Sequence, residues 1–214
     1  MSRRHQMLFT SVQFLVFLPV AVLVFWSLPV RFRLPWLLLA SLVFYGSFGL
    51  PNLVALAMVA AIVIVAGRVL RAGSPGSRRA ALWSGTLAIL VMMGLLKYYD
   101  PIAAGLEALP MLGLTSPAGF SFYAFTAIAL LADRYRDPVA ARADDMQELL
   151  YLAWFPKVLA GPIERIGPFA AQLVERTPIT WPQAASGLQL ILWGLVKKVV
   201  IADNLAPFVD RTYA

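Results

Sequence analysis

Cysteine is absent from the 214 residues, and histidine occurs once, as His5. The first absence excludes a disulfide framework, a thiolate metal site and a thiol nucleophile. The second leaves nothing from which a Ser-His-Asp set could be built, because one histidine beside Arg3 and Arg4 on a polar tail has no buried serine to face. No spacing of His, Cys and carboxylates supports a transition metal, and no glycine-rich turn reads as a phosphate or dinucleotide cradle. Charge is scarce as well. Only 14% of residues are charged, against roughly 25% in an ordinary soluble domain, so water is not the main solvent of this chain.

What is there is hydrocarbon: 60% of the residues are hydrophobic. Apolar runs of about 20 residues mark bilayer-spanning helices, and five are read as spans: Gln6 to Val30, Leu34 to Gly49, Leu53 to Leu70, Ala80 to Tyr99 and Ala118 to Ala132. A sixth, Ala184 to Val209, carries charges. The first run exceeds the ~7–15 residues of a signal-peptide core and lacks a small-x-small cleavage pattern before Arg31, so it reads as a retained helix. The segment GSFGLPN, Gly46 to Asn52, supplies the glycines and proline that divide the apolar stretch from Leu34 to Leu70 into a tight hairpin.

Alternating the sides from the first helix collects nine basic residues on one face: Arg31, Arg33, Arg68, Arg71, Arg78, Arg79, Arg134, Arg136 and Arg142. The other face receives Arg3, Arg4, Asp100 and Glu107. The positive-inside rule then puts the N-terminus outside and the loops at 68–79 and 134–146 in the cytoplasm. Anionic lipid facing those loops accounts for the formal charge of +7, and no nucleic-acid partner is needed.

After Asp133 the chain turns polar, and a helix start is expected at Asp144 or Asp145, where acidic side chains meet the positive end of the helix dipole. Leu149 to Ala160 follows, too short at ~1.5 Å per residue to cross a bilayer. It leads into WFPKVLAGPIER, Trp154 to Arg165. Pro156 and Pro162 break helix continuity, Gly161 precedes the second proline, and irregular backbone at membrane depth needs protein or a water-filled cavity around it. The segment is therefore expected to be re-entrant or interfacial. Lys157 has two readings, an intramembrane functional lysine or a side chain snorkelling to the headgroups. Glu164 and Arg165 read as a surface pair at the same rim.

In GLVKKVVIADN, Gly194 to Asn204, helical spacing places Gln189, Trp193, Lys197, Val200 and Asn204 along one polar seam. The alternative is that Lys197 and Lys198 mark the cytoplasmic end of a shorter span that continues as an interfacial amphipathic helix. In GFSFYAFTAIALLADRYR, Gly119 to Arg136, the aromatics Phe120, Phe122, Tyr123 and Phe125 are expected to form an interfacial belt at the outer end, with Asp133 to Arg136 as the inner boundary.

Together with SVQFLVFLP at Ser11 to Pro19, LLLASLVFYG at Leu37 to Gly46 and LLKYYD at Leu95 to Asp100, these ordered stretches resemble the membrane-bound O-acyltransferase family, in its alginate O-acetylation and D-alanyl transfer branch. The family pattern Gly-Ile-Ser-Phe-Tyr-Thr-Phe-Gln is matched from Gly119 with departures at Phe120, Ala124 and Thr126. The resemblance implies an all-α, polytopic membrane helical bundle, here a partial version of the family fold. Residues 1–133 would supply about five spans, 134–147 a cytoplasmic loop, and 148–214 the re-entrant segment and a final membrane helix. It also implies O-acetylation of an exported polysaccharide such as alginate. A cytoplasmic acyl donor, acetyl-CoA or an acyl carrier, would meet an acceptor hydroxyl inside a funnel, with a histidine as general base.

That histidine belongs to family segments beyond the Lys-Lys-Val motif, and His5 matches none of its positions. The expectation is therefore a fragment or one part of a split enzyme, inactive alone, whose partners would be the lipid bilayer, a missing C-terminal half or polysaccharide-modification proteins. Tyr123, Lys157, Gly161, Pro162, Glu164, Arg165, Lys197 and Asn204 are the candidate substrate-pathway residues, with no bound cofactor. A non-catalytic scaffold or partner-binding subunit is the alternative from another class. A transporter would need a second broken helix in the first half to match 156–162.

Overall fold

The computed structural model describes residues 7–105, 110–137, 143–174 and 180–213, which fall into two compact units divided between Val174 and Glu175. His5, Glu107 and Arg142 lie outside the described residues. Every regular element among the described residues is helical, as the composition implies.

In the first unit Ser11 caps α1 (Val12–Ser27), accepting from the Phe14 amide at 3.2 Å. After Pro29 the chain enters α2 (Val30–Gly46), so Arg31 and Arg33 sit in the first turn of that helix, earlier than the expected start at Leu34. The predicted hairpin is present: Gly49, at φ 108°, turns the chain into α3 (Leu50–Ala72), with Pro51 in the first turn, where a missing N–H costs nothing. Ser74 and Pro75 then start α4 (Pro75–Met93). This helix runs through a π-helical turn at Gly94–Tyr98 into α5 (Tyr99–Gly105), one continuous rod beyond the expected bounds of 80–99. Gly119, at φ 68°, precedes α6 (Phe120–Arg136).

The helix start expected near Asp144 is made by a reciprocal capping box. The Gln147 amide donates to Asp144 Oδ1 at 2.7 Å, and the Asp144 amide donates to Gln147 Oε1 at 3.0 Å, which opens α7 (Asp145–Ala153). The apolar run Leu149 to Ala160 is not one short helix, however. It stops being helical at Ala153 and tightens into turns, and a further helix that the sequence did not announce, α8 (Ile166–Val174), closes the unit.

The second unit is one rod. Thr180 and Gln183 cap α9 (Trp181–Val196), and a π-helical turn at Lys197–Ala202 joins it to α10 (Asp203–Tyr213).

Among the described residues three rods are long and apolar enough to cross a membrane: 50–72, 75–105 and 181–212. α1 is apolar with 16 residues, ~24 Å at ~1.5 Å per residue, and α2 and α6 have 17 residues each with arginines in their end turns. The chain is a membrane protein of helical-bundle type. Its core in the first unit is aromatic on one side, where Phe14 and Phe17 from α1 and Phe44 from α2 meet Phe155, and Phe9, ahead of α1, packs on Phe14 and Phe44. On the other side α3, α4 and α6 pack through small residues. At Gly85 an added Cβ would lie 2.9 Å from Leu131 Cδ1 and 3.3 Å from Ala66 Cβ.

Candidate functional site

The site is built on residues 154–169, whose position is fixed by Phe155. Its ring meets Phe17 edge-on at 5.3 Å and Phe44 at a tilt at 5.8 Å, and its amide donates to Ser41 Oγ on α2 at 3.3 Å. With Phe155 and Val158 buried, the segment is inserted into the bundle. The backbone satisfies itself through tight bonds: the Lys157 and Val158 amides donate to Trp154 O at 3.0 and 2.9 Å, and the Gly161 amide donates to Lys157 O at 2.8 Å.

Two glycines make this turn feasible. A Cβ on Gly161 would lie 2.1 Å from Lys157 Cβ, and one on Gly119 would lie 2.2 Å from Val158 O. Gly161, singled out from the sequence as a helix breaker beside Pro162, is needed for close approach. Gly119 does the same from the start of α6, besides holding a positive φ.

Lys157 does not snorkel. Its side chain is 9% exposed, and the ammonium sits 3.6 Å from the centre of the Tyr151 ring and 4.7 Å from that of Phe169. Both faces attract a cation through their quadrupoles. Glu164 Oε2 stands 3.8 Å away, but Lys157 Nζ has no hydrogen-bond partner among the described residues. Burial pushes the amine down from 10.5 to about 8, with the Glu164 charge opposing the shift. The Tyr151 hydroxyl donates to the Glu164 carbonyl, which ties α7 to the approach of α8.

The predicted Glu164–Arg165 surface pair is therefore not formed: Glu164 turns to Lys157. Arg165 lines a shallow pocket of about 220 Å³ with Arg136, Asp133, Asp137, Gly167 and Pro168. Pro162, exposed, follows Gly161 on the way there.

Other predicted site residues lie elsewhere. Tyr123 and Phe120 are core residues, 1% and 2% exposed, and only Phe122 and Phe125 face outward, so the expected aromatic belt is half a packing face. The Tyr123 ring meets Tyr45 edge-on at 6.0 Å. Thr126, at the family's glutamine position, closes its hydroxyl onto Phe122 O at 2.8 Å.

Lys197 and Asn204 belong to the second unit, where the π-helical turn displaces the register on which the 3/4-spaced seam was drawn. Lys198 pairs with Asp203, five residues on. The Asn204 amide donates to Val200 O at 2.8 Å, serving the loosened backbone.

One arrangement was missed altogether. Arg134, 1% exposed, forms an ion pair with Glu148, 0% exposed, and donates to Ala143 O at 2.9 Å. Arg71 reaches Glu148 at 3.8 Å and Asp145 at 2.6 Å, and Arg68 reaches Asp145 at 2.8 Å. Hydrogen bonds from Arg68 and then Arg71 hold the Asp145 carboxyl below its usual range. The signal was present in the spacing. Arg68 and Arg71 on α3 and Asp145 and Glu148 on α7 are both i, i+3 pairs, each presenting one face.

Over 97% of its length the chain is 33% identical to the probable alginate O-acetylase of Azotobacter vinelandii, covering 44% of that protein. It is 31% identical to that of Pseudomonas aeruginosa, covering 42%. Over 91% of its length it is 29% identical to the peptidoglycan O-acetyltransferase of Helicobacter pylori, covering 44%. The chain is homologous to the N-terminal part of these proteins and spans less than half of their length. No family model matches, and no solved structure does.

Proposed function

From the chain's homology to the N-terminal part of alginate and peptidoglycan O-acetylating proteins, we propose that it forms the corresponding part of a membrane-bound O-acyltransferase that acetylates hydroxyls of an exported polysaccharide such as alginate. The observation that carries the mechanistic part is the inserted segment 154–169. It brings into the bundle a buried lysine with no hydrogen-bond partner among the described residues, and its end lines the pocket that Arg136 and Arg165 share with Asp133 and Asp137.

In this reading the segment shapes the cytoplasmic approach of a thioester donor. Acetyl-CoA and an acyl carrier share a phosphate-bearing arm, and Arg136 and Arg165 suit that arm because a guanidinium binds phosphate bidentately. Lys157 orders the turn behind them. Proton transfer from the acceptor hydroxyl is assigned to none of these residues, since Arg136 and Arg165 stay protonated and the Lys157 amine is enclosed by the Tyr151 and Phe169 rings. The donor enters from the cytoplasm of a bacterial inner membrane and the acceptor from outside.

The test is acetyl transfer by a full-length homologue carrying the equivalent of Lys157→Met, in membranes supplied with acetyl donor and polysaccharide. Transfer is expected to fall about tenfold or more, within the range by which misplacing a bound reactant slows reaction, while the folded amount is unchanged. Unchanged transfer would sink the role given to this segment. A folded full-length protein that acetylates no polysaccharide hydroxyl would sink the reading as a whole.

A further inference from the structure

Every one of the eleven acidic residues lies at or after Asp100, whereas nine of the eighteen basic ones precede it. The arginines of the first four helices must therefore find their partners at a distance. Arg68 and Arg71 find them on α7, and Arg78 donates to the Tyr135 carbonyl at 2.8 Å. Arg31 and Arg33, at the turn between α1 and α2, have no carboxylate within ion-pair distance among the described residues.

They are nevertheless held in place. The Arg33 guanidinium lies 5.0 Å from the centre of the Trp26 ring and 5.2 Å from that of Phe25, and its Nε donates to Leu28 O at 3.2 Å. The Arg31 guanidinium lies 4.7 Å from the centre of the Phe32 ring. Trp36 pins the two helices together by donating to Ala21 O at 2.9 Å. Two guanidiniums two residues apart, steadied on rings and keeping terminal N–H groups to spare, sit at the end of an apolar helix pair. Val30 and Phe32 beside them are each 47% exposed. Aromatic rings and arginines at such a place lie at headgroup depth.

We infer that the α1–α2 turn is a binding surface for acidic phospholipid, with Phe25, Trp26 and Phe32 in the interfacial layer and Arg31 and Arg33, on different sides of the start of α2, each offered to a headgroup phosphate. A guanidinium suits a phosphate because its N–H fork matches two oxygens. The bilayer is the partner because the neighbouring side chains on both helices are apolar and exposed, as a soluble anion would not require. The inference stands apart from the acetyl-transfer reading.

The experiment measures phosphatidylglycerol and phosphatidylcholine adducts of the full 214-residue chain by native mass spectrometry from mixed micelles. Phosphatidylglycerol is expected to be retained preferentially. Arg31→Gln/Arg33→Gln should weaken its retention about thirtyfold, which corresponds to removing the surface attraction of two cationic side chains. Arg79→Gln/Arg211→Gln, which removes the same charge elsewhere, should leave most of the preference.

Arg31→Gln alone disturbs no hydrogen bond of the fold and should still cost about fivefold on the same scale. It therefore answers the question if the double variant is poorly folded. Equal losses in the two double variants, no loss with Arg31→Gln, or inorganic phosphate displacing the lipid at millimolar concentration would each overturn the proposal.

Discussion

At Gly161 a single methyl group would meet the backbone of Lys157, with Cβ to Cα at 2.5 Å. Backbone cannot step aside as a flexible side chain can, so Gly161→Ala should destabilise the first unit by about 1–3 kcal/mol, read as a lowered thermal midpoint in detergent. Gly67→Ala is the control. Its nearest neighbour would be at 3.7 Å, and removing a mid-helix glycine should be neutral or favourable by up to about 1 kcal/mol. Lys157 supplies a pH test. Its folded value of about 8 lies below the ordinary 10.5, so between those values the unfolded chain holds the proton more firmly, and stability rises with pH across that window. The unfolding midpoint should climb from pH 8 towards 10, and Lys157→Met should remove that part of the climb. A parallel climb in the variant would show that another group causes it.

At the scale of elements, the join between α6 and α7 rests on Arg134 and Glu148. Removing one partner of a buried pair strands the other charge, so Glu148→Ala should cost about 3–5 kcal/mol, whereas Arg134→Met with Glu148→Leu should recover most of the loss; chemical unfolding of the three proteins checks both. This join also marks what the sequence could and could not reveal. The hairpin at Gly49 and the helix start at Asp144 were legible because glycine and proline act through local backbone geometry and acidic side chains favour the positive end of a helix dipole. The break in helix over 154–165 was legible because Pro156, Gly161 and Pro162 interrupt it. Arg134 looked like a boundary residue because burial of an arginine depends on a carboxylate that another helix brings to it. Lys157 stayed ambiguous because its ring partners, Tyr151 and Phe169, flank it in sequence but meet it only once α8 folds back. The seam through Lys197 and Asn204 assumed one uniform period along its helix, and the π-helical turn at Lys197–Ala202 breaks that period.

For the molecule as a whole, the absence of cysteine makes sidedness directly testable. Gly76, beside the turn between the two rods 50–72 and 75–105, has open space around its Cα, and Thr115 lies exposed beyond the far end of the second rod. Gly76→Cys is expected to react with a membrane-impermeant maleimide only after the cytoplasmic face is opened, and Thr115→Cys from the outside of intact cells. The reverse pattern would invert the proposed orientation, and labelling of both from one side would mean that the second rod does not cross. The ladder of Arg68 and Arg71 with Asp145 and Glu148 carries a further consequence, one of time. A ribosome adding roughly 5–20 residues per second needs roughly 4–15 s to pass from Arg71 to Asp145, and throughout that interval the growing chain holds unneutralised arginines and few carboxylates. The charge that α7 finally cancels is thus available while the early helices enter the membrane, and it is withdrawn only after their direction has been set.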